Sequence, residues 1–525
     1  MGNIKVLDCT LRDGGYCNQW QFGYGNIKTI VGGLTEAGID IIECGFLTNK
    51  VNYDLDVSKF TTLEELSKVI PKNREGKMYV CMMNFGEYRI EDFPEFDGSS
   101  VDGIRVAFHK KDMNPAIDFC LGLKEKGYQV FMQAMVSLSY TDEEFLHLIE
   151  LANKLNPYAF YIVDSFGVMK RKDLIRLFYV VEHNLKEGIA IGYHSHNNMQ
   201  LAYSNAQSLV DIRTNRDLIF DSSIYGMGRG AGNLNTELFV EYLNDNVGTH
   251  YQLKPLLAII DEILNRFYEQ NYWGYSLPNY LSAKHNAHPN YAGWLDSKKT
   301  LTIDNMDDIF TMMSPEKKVI YDKSYIESLY ESYLATGNVQ EAHLAELQSA
   351  LKNKEVLIIA PGSSSKTERD KILSCAQREG VVSISINFDY QEFETDYIFL
   401  SNLRRFRELN TEKRSKCIVT ANIPALGVYL QTKYKDLLNN VEAVRDNAGL
   451  MLIKYLINMG ANKVYIAGMD GYDLDVSNNF LDKKMAFVAS KSVFEAMNEG
   501  LCTVLKQYSQ QIPIEFITTP KFVKV

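Results

Sequence analysis

The sequence predicts an α/β protein: an N-terminal (β/α)8 barrel, a helical extension and a C-terminal Rossmann-like domain. Three observations carry this. Residues 1 to about 250 alternate eight short apolar runs with amphipathic, helix-like segments, the count and length of such a barrel. The residues able to do chemistry fall where those runs end, the rim on which barrels build their sites. From about residue 354 the alternation starts afresh, after a stretch of about a hundred residues that reads as helix only. The boundaries expected are therefore 1–250, 251–350 and 351–525, and 525 residues are too many for one ordinary core.

In order, the barrel strands are expected at Ile4–Cys9, Ile39–Cys44, Met78–Met82, Gly103–Val106, Gln129–Gln133, Ala159–Val163, Ile189–His194 and Leu218–Ser222. Helical patterns fill the gaps at Ile27–Ala37, Thr61–Val69, Pro115–Lys126, Asp142–Leu155 and Lys172–Leu185. In the tail, strands are expected at Val356–Ala360, Val381–Ile386, Tyr397–Ser401, Cys417–Thr420, Lys463–Ala467 and Ile514–Ile517, with helices at Glu442–Met459 and Lys483–Lys506.

The bulk numbers exclude several classes. A net charge of −11 disfavours a broad nucleic-acid surface. No uncharged apolar run approaches the ~18 residues of a membrane span. The N-terminus reads directly into a strand, with neither a signal core nor a transit pattern. The eight cysteines are scattered, without Cys-x-x-Cys pairs, so reduced thiols in a cytoplasm are expected. Nothing in the sequence decides whether the chain forms a homo-oligomer.

The first strand runs straight into Arg12, Asp13, Gly14 and Gly15. A charged pair at the end of a buried strand is costly unless it is paired or binds something. We read Asp13 as a metal ligand and Arg12 as the group that holds a substrate oxygen; a strand-terminal salt bridge is the plainer alternative. The seventh expected strand ends in His194-Ser195-His196. Side chains two apart on a strand share a face, so the two imidazoles converge. With Asp13 they make a three-ligand set that leaves positions open for substrate. That donor mix does not choose among Mn2+, Mg2+, Zn2+ and Co2+; Mn2+ or Mg2+ is the working expectation. After the eighth strand, Gly226-Met-Gly228-Arg-Gly230-Ala-Gly232-Asn233 lets backbone approach an anion. Gly228, Gly230 and the strand-end Gln133 are read as substrate-binding, and Asn233 as a further metal or substrate ligand.

Leu7-Asp-Cys-Thr-Leu-Arg-Asp-Gly, His-x-His-Asn and Gly-x-Gly-x-x-Gly-Asn, in that order, resemble the metal-dependent aldolase and lyase (DRE-TIM) family. That family holds 4-hydroxy-2-oxovalerate aldolase, 3-hydroxy-3-methylglutaryl-CoA lyase and the isopropylmalate and homocitrate synthases. The likeness covers about residues 1–250. It implies a divalent metal on Asp13, His194 and His196, with Asn233 added in some members. It implies Arg12 on the oxygen of an enolate formed while a carbon–carbon bond is made or broken between a 2-oxo acid and an aldehyde. The aldolases carry a histidine just after Arg-Asp-Gly, where this chain has Gly15-Tyr16. Tyr16, Glu43, Tyr225 and His285 or His288 are therefore the proton-transfer candidates, with Tyr16, Glu43 and His288 taken forward. An acyl-CoA-dependent Claisen synthase and a non-catalytic metal-binding barrel are the alternatives.

In the tail, Gly362, Ser363 and Ser364 between a strand and a helix could cradle a phosphate. Arg404, Arg405 and Arg407 could neutralise one, although a solvated basic helix is the plainer account. Asp470 ends another strand on the side where open sheets bind ligands. Loosely, the tail is similar to nucleotide-sugar-handling domains, so a nucleotide or nucleotide sugar is the expected ligand.

Overall fold

The computed structural model describes residues 2–298, 301–335, 343–423, 427–473, 475, 479–482, 485 and 491–522. They form two compact units. One comprises Met1–Trp294 with Ser314–Tyr321, the other Leu295–Met313 with Asp322–Val525.

The first unit is a closed parallel barrel. Its strands are β1 (Ile4–Asp8), β2 (Ile41–Leu47), β4 (Met78–Asn84), β5 (Gly103–Phe108), β6 (Gln129–Ala134), β7 (Ala159–Asp164), β8 (Ala190–Ser195) and β9 (Leu218–Ser222). A two-residue strand, β3 (Lys59–Phe60), lies beside the end of β2. β1 pairs with both β2 and β9, which closes the ring. All eight expected strands are present. Glu43 was expected at the end of its strand, but β2 runs on to Leu47. Its register against β4 shifts between Glu43 and Phe46, so the carboxylate lies inside the barrel instead of at the lip.

The helices start where the chain caps them. Thr141 Oγ1 accepts the Glu144 amide at 3.3 Å, and Glu144 Oε2 accepts the Thr141 amide at 2.8 Å, so the helix Asp142–Leu155 begins as expected. The helix Tyr24–Glu36 buries Ile27, Ile30, Val31 and Leu34 against the outside of the barrel. Each such side chain contributes about 1.5–3 kcal/mol.

The barrel interior is tiered, because every second side chain of a strand points inward. Leu7, Ile41, Val80, Phe131, Tyr161, Ala190 and Ile219 form an apolar floor. Two residues beyond four of these stand Cys9, Glu43, Gln133 and Asp221, with His194 two beyond Gly192 on β8 and Arg105 two beyond Gly103 on β5. All are buried. Gly192 has a packing reason, since a Cβ there would fall 2.3 Å from the Tyr161 ring.

The second unit carries a seven-stranded parallel sheet. Its strands are β10 (Glu355–Ile359), β11 (Val381–Ile386), β12 (Tyr397–Leu400), β13 (Cys417–Thr420), β14 (Leu430–Thr432), β15 (Lys463–Ala467) and β16 (Ile514–Phe516), ordered β14-β13-β12-β11-β10-β15-β16. The three-residue edge strand β14 was not expected; Leu-Gln-Thr is too short to show a period. Of the expected helix Glu442–Met459, the first turn is a separate 3-10 turn at Glu442–Val444. Asn447 then caps Ala448–Met459. The expected helix Lys483–Lys506 is seen as Lys491–Ser509; most of its expected first turns lie outside the described residues. Helices also occupy Leu277–Lys284, Pro289–Ser297, Ile303–Met312 and Lys323–Ala335 of the expected helical stretch.

Candidate metal centre

β1 ends in two single-turn helices, Thr10–Asp13 and Gly15–Asn18. The first turns Asp13 back over the barrel mouth. There one ligand atom each of Asp13, His194 and His196 lies within 4.8 Å of the others, and all three residues are buried. His196 Nδ1 faces Asp13 Oδ2 at 3.7 Å. Asn233 stands opposite His196 through a backbone bridge, and its Nδ2 donates to Asp13 Oδ2 at 2.6 Å. Two buried acceptors here lack a hydrogen-bond partner, His196 Nδ1 and Asn233 Oδ1. Orphaned acceptors beside a buried carboxylate fit a cation, because each would otherwise carry a desolvation cost of ~1–3 kcal/mol.

The protonation states fit as well. Burial alone would raise the Asp13 carboxyl. Arg12, followed by His196, His194 and Arg229, outweighs burial and holds it well below the usual range. Burial, only partly offset by Asp13, pulls His196 down to about 3, so its imidazole is neutral and has a lone pair to give. His194 Nδ1 donates to Asp221 Oδ2 at 2.9 Å, which leaves Nε2 as the free donor atom of the ring.

Beneath the ligands runs a continuous ion network. Arg12 Nη1 meets Asp13 Oδ1 at 2.5 Å, and Arg12 Nε donates to Glu43 Oε2 at 2.9 Å. Arg105 Nη1 lies 2.8 Å from Glu43 Oε1, and Arg105 Nη2 is bonded to Asp221 Oδ2. The Arg105 guanidinium also lies over the Tyr161 ring at 5.1 Å. Asp221 returns the chain of charges to His194. Arg12 Nη2 and Gln133 Nε2 are buried donors with no partner. They are two of the donors that the barrel can offer a bound oxyanion, Arg229 Nε being another.

Of the residues that the sequence singled out, the structure brings Asp13, His194, His196 and Asn233 together, with Arg12 against Asp13 and Glu43 behind Arg12; Gln133 is buried near the end of β6. Glu43 is held between two guanidinium groups, which suits a counter-ion more than a proton carrier. Gly228 and Gly230 serve by what they lack. A Cβ on Gly228 would fall 2.4 Å from Asn233 Nδ2 and 2.9 Å from Asp13 Oδ2; one on Gly230 would fall 2.7 Å from Asn198 Oδ1. Tyr16 is 43% exposed at the lip, with the Arg229 guanidinium 5.3 Å from its ring centre. His288 Nε2 is 3.4 Å from Arg229 Nη1. Burial, reinforced by Arg229, pulls His288 down to about 2. Arg105 and Asp221 were not singled out. The available signal was a lone charge inside an apolar strand.

The phosphate cradle expected in the tail is filled from within. Asp470 Oδ2 accepts the Ser364 amide at 2.7 Å and the Ser363 hydroxyl at 3.2 Å, and Asp470 Oδ1 accepts the Ser364 hydroxyl. A Cβ on Gly362 would meet the Asp470 carboxylate at 2.7 Å. The donors thus go to a carboxylate of the chain itself. Nor is the basic stretch left for phosphate. Arg404 donates to the Leu301 carbonyl at 2.8 Å, Arg405 pairs with Glu408 and Arg407 pairs with Asp304.

Residues 110–263 match the family model described as HMGL-like. Over 272 residues the chain is 25% identical to 4-hydroxy-2-oxovalerate aldolase of Pseudoalteromonas translucida (strain TAC 125), an alignment covering 51% of this chain and 77% of that protein. Over 241 residues it is 28% identical to 4-hydroxy-2-oxovalerate aldolase 2 of Comamonas testosteroni, covering 45% and 67%. Among solved structures, the N-terminal domain of a candidate aldolase from Bacteroides vulgatus superposes with a TM-score of 0.50 at 28% identity. It covers 57% of this chain and 98% of that one. The barrel of this chain, with its buried Asp13, His194 and His196 set, is thus similar to the HMGL-like family and to the 4-hydroxy-2-oxovalerate aldolases.

Proposed function

We propose that the chain is a divalent-metal-dependent aldolase, a carbon–carbon lyase joining or parting a pyruvate-type 2-oxo acid and an aldehyde. The observation that carries this is the buried Asp13–His194–His196 set with the unpartnered Nη2 of Arg12 beside it. A divalent cation there, Mn2+ or Mg2+ on this reading, supplies Lewis-acid polarisation of the keto group.

The chain's own residues do the rest. Arg12, fixed by Glu43, offers Nη2 to the enolate oxygen as a charge-assisted donor. Gln133 offers Nε2 to the carboxylate of the 2-oxo acid. Asp221 fixes the tautomer and direction of His194. In the forward direction the pyruvate methyl carbon gives up a proton and bonds to the aldehyde carbon, and the aldehyde oxygen takes up a proton. On this reading Tyr16, exposed at the lip, exchanges that proton. His288, held neutral beside a cation, is too weak a base and walls the mouth. For the second unit, the strand order reverses between β10 and β15, where open parallel sheets take ligands. A nucleotide-type ligand in that crevice would meet Asp470 rather than free Ser363 and Ser364. Among the described residues no helix is long and apolar enough to cross a membrane, and the free thiols suit a reducing cytoplasm.

The test is chelation. Stripped protein should lose pyruvate–aldehyde condensation and regain it with Mn2+. Activity unchanged by stripping would overturn the metal's role. Arg12→Lys should abolish turnover with metal content intact, because lysine keeps the charge but not the planar fork.

A further inference from the structure

Among the described residues Arg229 stands at the mouth with no carboxylate in salt-bridge contact, although its charge helps to hold the Asp13 carboxyl low. Arg12 and Arg105 each face two carboxylates. Arg229 forms no ion pair among the described residues. Its Nε is buried and unpartnered. Its Nη2 reaches only the Ser165 carbonyl, at 3.5 Å. Its Nη1 faces His288 Nε2 at 3.4 Å, while the Asn290 amide donates to Nδ1 of the same ring at 3.2 Å. A neutral imidazole accepts at one nitrogen only, so one of these contacts is not a hydrogen bond, and the longer one is Arg229's. The Tyr16 ring flanks the guanidinium at 5.3 Å and supplies no acceptor in the plane of the fork.

The position is as telling as the lack of partners. Gly228, next in the chain, abuts Asp13 and Asn233, so Arg229 begins at the ligand set. From there it crosses the lip between Tyr16, which follows β1, and Ser165, which follows β7. Arg12 Nη2 and Gln133 Nε2 already serve the buried end of the mouth. A group bound by Arg229 therefore belongs to the outer reactant.

We propose that Arg229 binds an oxyanion on the aldehyde partner, so that the substrate class is aldehydes carrying a carboxylate or a phosphate. This rests on the aldolase reading and names its second substrate. A guanidinium with three ill-satisfied faces matches a bidentate carboxylate or phosphate and gains little from a neutral aldehyde.

The experiment pairs aldehydes that differ in charge. Full-length, Mn2+-loaded protein is given pyruvate with glyceraldehyde or glyceraldehyde 3-phosphate, and with propanal or succinic semialdehyde. In at least one pair the anion should have the higher kcat/KM, by about tenfold or more, and the better pair tells phosphate from carboxylate. Arg229→Gln should cut that preference at least tenfold, mainly through the KM of the anionic aldehyde; Arg229→Lys should restore part of it. Equal turnover within both pairs, or a loss in Arg229→Gln lodged in the KM of pyruvate, would overturn the proposal. Titration of metal-stripped protein with inorganic phosphate and with succinate reads the same site without catalysis. Binding of one of them that Arg229→Gln weakens tenfold supports the anion site even if no aldehyde turns over, a result that would sink the aldolase reading alone. Binding indifferent to the substitution, or no binding of either, counts against it.

Discussion

Replacing Arg105 by methionine should destabilise the barrel more than any surface change, by an amount the structure bounds. The guanidinium is 0% exposed, with Glu43 on one side and Asp221 on the other. Methionine fills similar apolar volume but leaves two buried carboxylates facing each other without a cation. Breaking a buried pair by removing one partner costs about 3–5 kcal/mol. At about 2–4 °C per kcal/mol for a unit of this size, that is a fall in Tm of about 6–20 °C. The deficit should shrink as pH falls, because the stranded carboxylates take up protons in the folded state more readily than in the unfolded one. Calorimetry of metal-free protein at pH 5 and pH 7.5 reads both effects. Adding Glu43→Gln to the variant should recover part of the loss by removing one stranded charge. A fall under about 2 °C, unchanged across that pH range, would refute the idea that Arg105 holds the charged tier together. Divalent-ion affinity should drop about 10–100-fold in the same variant, since Asp221 would no longer be held against His194.

Gly228→Ala puts a methyl group 2.4 Å from Asn233 Nδ2 and 2.9 Å from Asp13 Oδ2. Calorimetric titration with Mn2+ should show affinity lowered at least about tenfold, and wild-type affinity would mean that the loop yields freely. Asp8 is buried, which raises its carboxyl to about 6 from 3.8. The folded state therefore holds a proton that the unfolded state releases between those values, and stability falls by about 3 kcal/mol in all as pH rises, about 2 of it across pH 4–6. Asp8→Asn removes this titration, and the Thr236 hydroxyl, now 2.6 Å from Asp8 Oδ2, can accept from the new amide. Its Tm advantage over wild type should grow by about 4–8 °C from pH 4.5 to pH 7.5, since about 2 of the 3 kcal/mol fall in that interval; a constant difference would refute the assignment. Tyr16→Phe should lower kcat on the order of a hundredfold at unchanged metal affinity, whereas His288→Gln should cost less than about threefold. The reverse order would make His288 the proton carrier.

The barrel was legible because its strands and helices repeat a plain rhythm of apolar runs and capped amphipathic turns. His194 and His196 were legible because a two-residue spacing on a strand fixes their common side. Arg105 and Asp221 were not, because one strand read alone does not say which side faces the interior. That is decided by the ring of neighbours, where Arg105 stands level with Glu43 and Asp221. Glu43 was placed at the wrong height for a related reason: nothing local marks the register shift that lets β2 continue. In the tail, Gly362-Ser-Ser looked like a ready cradle, and its donors are real. Their acceptor, Asp470, comes from 106 positions away, a distance no local pattern spans. Arg229 was quoted within its glycine loop and passed over, since only the assembled mouth reveals it as a cation with no carboxylate in direct contact.

The tiered interior has a consequence for how the molecule meets its surroundings. The buried Arg12–Glu43–Arg105–Asp221 network sits above the apolar floor, out of contact with solvent. Its attractions should hold nearly constant from dilute buffer to seawater strength. Arg229 looks outward, within a Debye length of bulk electrolyte, and its pull on an incoming anion should fade as salt rises. Ionic strength is thus a dial that tunes capture at the entrance while leaving the machinery inside untouched.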